Sequence, residues 1–456
     1  MRGEPLQRVA NEPRGPPGPM IRTALRARRD PFGVLEDLAR EYGDVVRLRL
    51  AGRSAYIVND PELIRAILVD QAEAFPRGSV GPVTERLLGG SIVGSQGAKH
   101  HRKKAAAKPI VSHERLDDTL ATATGLIGPA TARWRTGETV DIAEAMSVLS
   151  IRVAAASIFS IRGEREAAEL RRLLEGAMAA YELSLHPLGR LLDRVPTRAG
   201  RRARQSTLQL AELVGALVGE RLRAPPAQRD ALDILVAARL DPAGTEGLSP
   251  HDIRAIALDI LIASHATIAH ALAWTLYDMA GEPATQQRVS EEARNALVGG
   301  PLRLADLGHL RRARACFKEG LRLHPPVWAF VREAAAPVDL GGLRLPEGSL
   351  VVLSPRLTHR DARHFPDPAR FDPERWAAHA PAPGGGITYF PFGAGPYGCL
   401  GDGLAMAQGT LVLALLLRSF SFERVGGAAP RENAAALQPE ASVPLRVSRR
   451  PVVLPA

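Results

Sequence analysis

Only two cysteines, Cys316 and Cys399, occur in the 456-residue chain. That excludes a disulfide framework and fits a reducing, cytoplasmic setting. Lysine is nearly absent too: there are five, four of them between Lys99 and Lys108, so arginine carries most of the formal +10 charge. No basic tail exists, and the aromatics, at 5%, are not interleaved with the charge. Nucleic acid is therefore not an expected partner. Residues 1–20 hold no apolar stretch, so neither a signal peptide nor a membrane anchor is expected there. The most apolar run, 255–263, is broken by Asp259 and falls short of the roughly 18 residues that span a bilayer. A protein without a membrane anchor is expected.

What the chain has in quantity is core-forming material, 45% hydrophobic residues, with 42 glycines and 36 prolines spread along it. Length alone would suggest about three domains, but no linker or repeat divides the sequence. Residues 1–25 read as a Pro-rich N-terminal segment and 26–456 as one domain, helical with loops at 224–226 and 241–247. A hairpin is expected from Val45–Leu50 through Gly52 to 55–58, and a second over 338–353, turning near Gly341-Gly342. Ser249-Pro250-His251-Asp252 combines a capping Ser, a first-turn Pro and an acid three residues after the Ser. No further Pro or Gly follows until Gly281, which predicts about 30 helical residues, or roughly 45 Å. The middle of that helix is apolar nearly all round, so it must be buried. The fold class expected is mainly α with a small β region.

The segment Phe390-Pro391-Phe392-Gly393-Ala394-Gly395-Pro396-Tyr397-Gly398-Cys399-Leu400-Gly401 sets one cysteine among glycines, with a helical pattern starting at Asp402. Glycines let the backbone fold closely around the sulfur, and a helix start lowers a thiol pKa. A thiolate so presented serves as a metal ligand or as a nucleophile. Upstream, Glu319 and Arg322 stand three apart on a helix and share a face. Phe371-Asp372-Pro373-Glu374-Arg375-Trp376 follows.

Together these segments resemble the cytochrome P-450 family. Phe392, Gly395, Cys399 and Gly401 match its cysteine-loop spacing, and Glu319/Arg322 match its E-x-x-R. The resemblance implies the P-450 fold, with a long helix over a haem b whose iron is bound by the Cys399 thiolate. It implies a monooxygenase that uses molecular oxygen on a small hydrophobic substrate, a terpenoid or a polyketide. Electrons would come from a separate ferredoxin and ferredoxin reductase. Cofactor-binding residues implied are Cys399, Phe392, Gly393, Gly401, Tyr397, Arg332, His100 and Lys104, the last two four apart and facing a propionate. Arg102 and Lys103 would face outward, toward an acidic electron donor. Arg375 would join Glu319 and Arg322 in a structural lock. Ala263, Thr267, Val327, Trp328, Ala329 and Phe330 would line the substrate pocket.

Two positions depart from the family. The long helix reads Ala263-Ser264-His265-Ala266-Thr267, keeping Thr267, which in the family hydrogen-bonds dioxygen and its water. Ala266 stands where the family has an acid that relays protons, which makes Ser264 a second catalytic candidate. His265, off the Thr267 face, reads as a core histidine. Tyr397 replaces an Arg or His that pairs with a propionate, which throws more weight on Arg332. The alternatives are a haem-thiolate enzyme that uses peroxide or rearranges its substrate, a haem-binding protein without turnover, and a cysteine-nucleophile enzyme.

Overall fold

A computed structural model of the chain describes residues 13–17, 23, 26, 27, 30–50, 52–78, 90–185, 198–223, 230–239, 247–297, 303–378, 385–426, 432, 433, 438, 439 and 442–451. Most of the Pro-rich residues 1–25, and the loops expected at 224–226 and 241–246, lie outside them. The helices that matter below are, in chain order, α1 (Pro31–Tyr42), α2 (Gly97–Ala107), α3 (His113–Thr131), α4 (Ile142–Phe159) and α5 (Glu164–Leu185). They continue with α6 (Arg198–Arg223), α7 (Pro250–Met279), α8 (Pro283–Ala296), α9 (Arg311–Leu323) and α10 (Asp402–Ser419). The strands are β1 (Val45–Leu50), β2 (Arg53–Val58), β3 (Thr139–Asp141), β4 (Phe330–Glu333), β5 (Val338–Leu340), β6 (Leu343–Leu345), β7 (Leu350–Leu353), β8 (Phe420–Arg424) and β9 (Pro444–Arg449). The architecture is mainly helical with small sheets. The chain gathers into two units, one drawn chiefly from residues 1–79 and 319–399, the other from 80–318, 400–435 and 439–456.

The first unit is built on a four-stranded sheet in the order β1-β2-β7-β4. In β2, Ala55 and Ile57 belong to a cluster with Val34 and Leu38 of α1. Tyr56 and Val58 point to the other face, among Ile64, Ile67, Phe75, Leu353 and Phe390. Side chains alternate across a strand, so covering both faces requires the unbroken apolar run 55–58. Helix α1 starts where the Asp30 carboxylate accepts the Gly33 N–H at 2.8 Å, ahead of a Pro at its first position. The expected second hairpin is shorter than its sequence suggests. β5 and β6 close it around Gly341-Gly342, but β7 leaves it to lie parallel to β2 and antiparallel to β4. An apolar strand with two buried faces finds more partners in the larger sheet than in a two-stranded ribbon.

The second unit is helical around α7, which packs against α4 and α6, while α10 packs against α3 and α8. β3, β9 and β8 form a small sheet beside them. α7 runs the 30 residues expected of it. Ser249 Oγ accepts the Asp252 N–H at 3.1 Å, and the Asp252 carboxylate accepts the Ser249 N–H at 3.2 Å. Both α4 and α7 are long and apolar enough to cross a membrane, and 61% of each apolar window is buried inside the protein. They are core helices.

Candidate active site

The cysteine loop is held by its own backbone. The Cys399 N–H donates to the Phe392 carbonyl at 2.9 Å, and the Gly393 and Gly398 N–H groups donate to Phe390 and Gly395. Gly393 and Gly395 have φ of 70° and 66°, values that side chains other than glycine rarely adopt. At Gly395 there is also no room: a Cβ would stand 2.0 Å from the Leu68 carbonyl oxygen. The Phe330 ring lies over Gly393, 3.5 Å from where its Cβ would be. Cys399 is left exposed and outside any disulfide, whereas Cys316 is buried. Gly401 caps α10, its carbonyl accepting the Ala405 N–H at 2.8 Å.

Behind the loop, Glu319 and Arg322 are both fully buried, 0% exposed. Arg322 Nε and Nη2 donate to the two carboxylate oxygens at 3.0 and 2.9 Å. Arg375 Nε joins at 3.0 Å, the Trp376 indole N–H at 3.0 Å and the Asp372 N–H at 2.9 Å. The rest of the Arg322 fork donates to the carbonyls of His359, Pro368 and Arg370 at 2.7–3.0 Å. His359 carries the chain of bonds onward. Its Nε2 accepts the Phe390 N–H at 2.9 Å, at the first residue of the cysteine loop. Burying an ion pair of this kind is compensated when further hydrogen bonds satisfy the carboxylate and its partner guanidinium, as they do for Glu319 and Arg322. Here it anchors the loop through two hydrogen bonds.

Arg332, on β4, is 4% exposed. Its guanidinium lies 5.7 Å from the centre of the Tyr397 ring, and that of Arg77 lies 5.5 Å from it. Arg77 Nη2 also donates to the Tyr397 carbonyl at 3.0 Å. Burial, with Arg77 adding to it, pushes the Arg332 pKa down to about 10. In the other unit, His100 on α2 is wholly buried and its Nδ1 bonds the Ile92 carbonyl at 3.0 Å. Lys104 is half-buried on the same helix. Lys103 does not face outward as expected. It is 4% exposed, paired with Asp252 of α7 at 2.7 Å and bonded to the Gly90 carbonyl. The reason is compensation: the carboxylate that caps α7 is the counter-ion that lets an ammonium be buried. Lys99 and His101 are the exposed basic residues of that helix, and Arg102 is half-buried.

On α7, Ala263 is exposed and Ala266 and Thr267 are half-buried, although most of the helix is buried. Thr267 Oγ1 donates to the Ala263 carbonyl at 2.6 Å. Ser264 Oγ donates to the Leu261 carbonyl at 3.3 Å. It lines a cavity of about 660 Å³ with Thr119, Thr122, Ser157 and Gln408, and Thr267 is not among the lining residues. His265 is buried and bonded to Ser147 Oγ at 3.1 Å, and burial takes its pKa down to about 4. Of the pocket residues expected in the other unit, Val327 is 40% exposed. Trp328 packs edge-on against Phe32, with ring centres 5.4 Å apart, and Ala329 is half-buried.

The family model for cytochrome P450 matches residues 13–443. The chain belongs to the cytochrome P450 family. It is 30% identical over 413 residues to cyclooctat-9-en-7-ol 5-monooxygenase of Streptomyces melanosporofaciens, covering 90% of this chain and 89% of that one. It is 29% identical over 406 residues to pentalenene oxygenase of Streptomyces avermitilis, covering 88% of each. Retinoic acid-bound cyanobacterial CYP120A1 superposes with a TM-score of 0.78 over 90% of this chain and 93% of its own, at 22% identity, which shows the fold alone. This P450 is a haem-thiolate monooxygenase, needing dioxygen, an organic substrate and a redox partner.

The residues fit a haem. An exposed thiol at the end of a rigid loop is the soft donor that iron takes in this family. Arg332 is a buried cation with no carboxylate partner among the described residues, as a carboxylate-bearing ligand would require. Sequence reasoning missed three contributors. Trp376 and His359 complete the lock, and Arg77 stacks on Tyr397. Trp376 directly follows Arg375, a signal available in the sequence. Arg77 follows Phe75-Pro76 in no recognisable spacing.

Proposed function

We propose that this P450 oxidises a small hydrophobic metabolite, a terpenoid before a polyketide, by hydroxylation or epoxidation. Haem b, bound through Cys399, would supply the redox chemistry, and a ferredoxin with its reductase the electrons. The exposed Cys399 thiol on a loop held by the Glu319–Arg322–Arg375 lock carries the reading of cofactor and reaction. Kinship with two oxygenases whose names denote terpenoid substrates supports the substrate class. Under this reading residues 26–456 act as one cytoplasmic catalytic domain. Arg332, Tyr397, His100 and Lys104 serve the propionates. Phe392, Gly393 and Gly401 shape the thiolate's surroundings. Ala263, Thr267 and the segment from Val327 to Phe330 bound the substrate. Thr267 and Ser264 handle protons.

The test is a screen of cyclic diterpene alcohols, sesquiterpene hydrocarbons and macrolactones for a low-to-high-spin Soret shift, followed by product analysis with a surrogate ferredoxin system. A shift with a terpenoid and an oxygenated product is expected. Shifts confined to macrolactones would move the substrate class to polyketides. A second reading, peroxide use or substrate rearrangement, is favoured by one observation. No acid stands at Ala266, and the Thr267 hydroxyl is turned back onto its own helix. Product formed with peroxide but not with ferredoxin would establish it.

A further inference from the structure

The cavity of about 660 Å³ lies in the helical unit, among α3, α4, α7 and α10, and every residue lining it belongs to that unit. On α7 it meets the Ile260–Ser264 stripe, not the stripe of Ala263 and Thr267. Three polar side chains from three different helices converge on it unsatisfied. Ser157 Oγ, on α4, is buried with no partner among the described residues. Thr119 of α3 and Gln408 of α10 are 9% and 6% exposed, and neither side chain bonds a described residue. Buried polar side chains are nearly always hydrogen-bonded, so each such exception calls for an explanation. The charges around the cavity are better provided for. Arg152 pairs with Glu164 at 3.0 Å, Arg115 with Asp118, and Asp230 with Arg221 at 2.9 Å. Arg162, at the rim, is exposed to water. Val153, Ile158, Ile260 and Leu404 make much of the remaining wall apolar. Water alone fills such a space poorly. At roughly 30 Å³ each about twenty molecules would enter, and an ordered one needs two to four polar partners. Three free side chains hold only a few of them. A cavity of this size, apolar apart from a few placed polar groups, is the usual form of a small-molecule site.

We propose that this cavity is a second binding site, for a neutral oxygenated hydrocarbon: an apolar skeleton carrying hydroxyl or carbonyl groups. The paired charges leave neither an anion nor a cation to be answered. Two hydroxyls and an amide can each donate and accept, so they suit alcohols and ketones alike. The site is independent of which substrate the catalytic pocket takes. Ser264 connects it to α7. Its Oγ donates to the Leu261 carbonyl at 3.3 Å, a long bond for a hydroxyl, and a ligand oxygen replaces it at small cost. An occupant therefore touches the helix that carries Thr267, three residues further on.

The experiment counts bound sclareol, a neutral diterpene diol, by equilibrium dialysis of the haem-loaded protein. A Soret titration with the same compound reports the catalytic pocket alone. The parent is compared with Gln408→Leu, Thr119→Val and Ala156→Phe, the last of which puts a ring into the cavity that Ala156 lines. The parent is expected to bind one equivalent beyond those that the Soret titration accounts for. Gln408→Leu should weaken that equivalent about tenfold and Thr119→Val about threefold, each through lost neutral hydrogen bonds. Ala156→Phe should abolish it, and the Soret titration should be the same for all four proteins. Labdane, the same skeleton without hydroxyls, should bind Gln408→Leu no less tightly than the parent. A parent that binds nothing beyond the Soret titration's share holds only water in the cavity, and the proposal is overturned. So it is if the extra equivalent survives all three substitutions. A loss in Gln408→Leu as large for labdane as for sclareol also overturns it, since that marks a packing defect. Failure of the terpenoid reading of the catalytic pocket looks different. Sclareol would then give no Soret shift, yet one equivalent would bind and be lost on the same substitutions.

Discussion

The Glu319–Arg322 lock and the buried Arg332 lie in the same unit and differ in how completely their charges are satisfied. Around Glu319 the group is nearly closed, the exception being Arg375 Nη2, which is buried without a hydrogen-bond partner among the described residues. Both carboxylate oxygens, the whole Arg322 fork and the Trp376 N–H have partners at 2.7–3.0 Å. At Arg332 it is open among the described residues. Arg332 is almost as deeply buried but meets two rings and one carbonyl. Burying charge costs several kcal/mol per ion, and only excellent geometry recovers it. A closed group has recovered that cost and can serve as scaffold. An open one keeps the cost until something else arrives, which is the physical difference between a lock and a binding site.

The comparison is broken most violently on the closed side. Glu319→Ala would leave Arg322 and Arg375 buried against each other, and breaking a buried pair in this way typically costs 3–5 kcal/mol. The variant is expected to be recovered mostly unfolded, or with its urea midpoint lowered accordingly. An unfolding free energy within about 1 kcal/mol of the parent's would mean the lock is not closed in solution. A third way of burying a cation is to shed the charge, as His265 does with its pKa near 4. Its ordinary value is 6.5, so between pH 6.5 and 4 the unfolded chain takes up a proton that the folded chain refuses. Stability therefore falls as pH drops through that window, by about 3 kcal/mol from this residue. Relative to the parent, His265→Gln should flatten the acid limb of a stability–pH profile. Parallel profiles would mean that His265 can be charged in place.

On the open side the sign reverses. Below pH 10 the folded apoprotein carries an Arg332 charge that it disfavours. Arg332→Met keeps the aliphatic packing and removes that charge. Exchanging an ill-compensated buried charge for an apolar group is often neutral or stabilising by 1–4 kcal/mol. The haem-free variant is expected to unfold at the same urea concentration as the parent, or a higher one, while losing haem faster when loaded. A haem-free variant that is strongly destabilised would place Arg332 with the scaffold.

How much of this was legible in the sequence depended on how far apart the partners lie. The limits of α7 could be read because its capping box and proline fall within four residues and act locally. Glu319 and Arg322 could be read because they are three apart. Lys103 was misjudged because its partner, Asp252, lies 149 residues on, in a helix cap whose role looked purely local. β7 was assigned to the wrong hairpin because an apolar strand carries no mark of which strands will flank it. Arg77 stayed invisible, since nothing in its neighbourhood says that residues 74–77 will run beside β4. Local spacing encodes elements and short-range pairs. Counter-ions supplied by another element need the fold.

The smallest effect concerns a hydroxyl, and the same question of closed or open applies to it. Thr267 Oγ1 is closed, donating to the Ala263 carbonyl of its own helix. To pass a proton toward bound dioxygen, the hydroxyl must give up that bond, at a cost of about 1 kcal/mol. With an alanine at 266, no neighbouring acid offsets that cost. The hydroxyl should therefore assist only when a substrate or an ordered water draws it outward, and its removal should matter only a few-fold. Thr267→Ala is expected to raise peroxide released per NAD(P)H about two- to fivefold with the true substrate. Hydrophobic surrogates, already poorly coupled in the parent, should show less change. Ala266→Glu should improve coupling with those surrogates, because it restores a proton source beside a hydroxyl that is otherwise committed. Peroxide yield and product are measured together, so that slow turnover is not mistaken for leakage. If Thr267→Ala couples the true substrate as well as the parent does, the hydroxyl stays closed during turnover. Proton delivery would then pass to Ser264 and the cavity it lines, or the enzyme would be one that draws on peroxide directly.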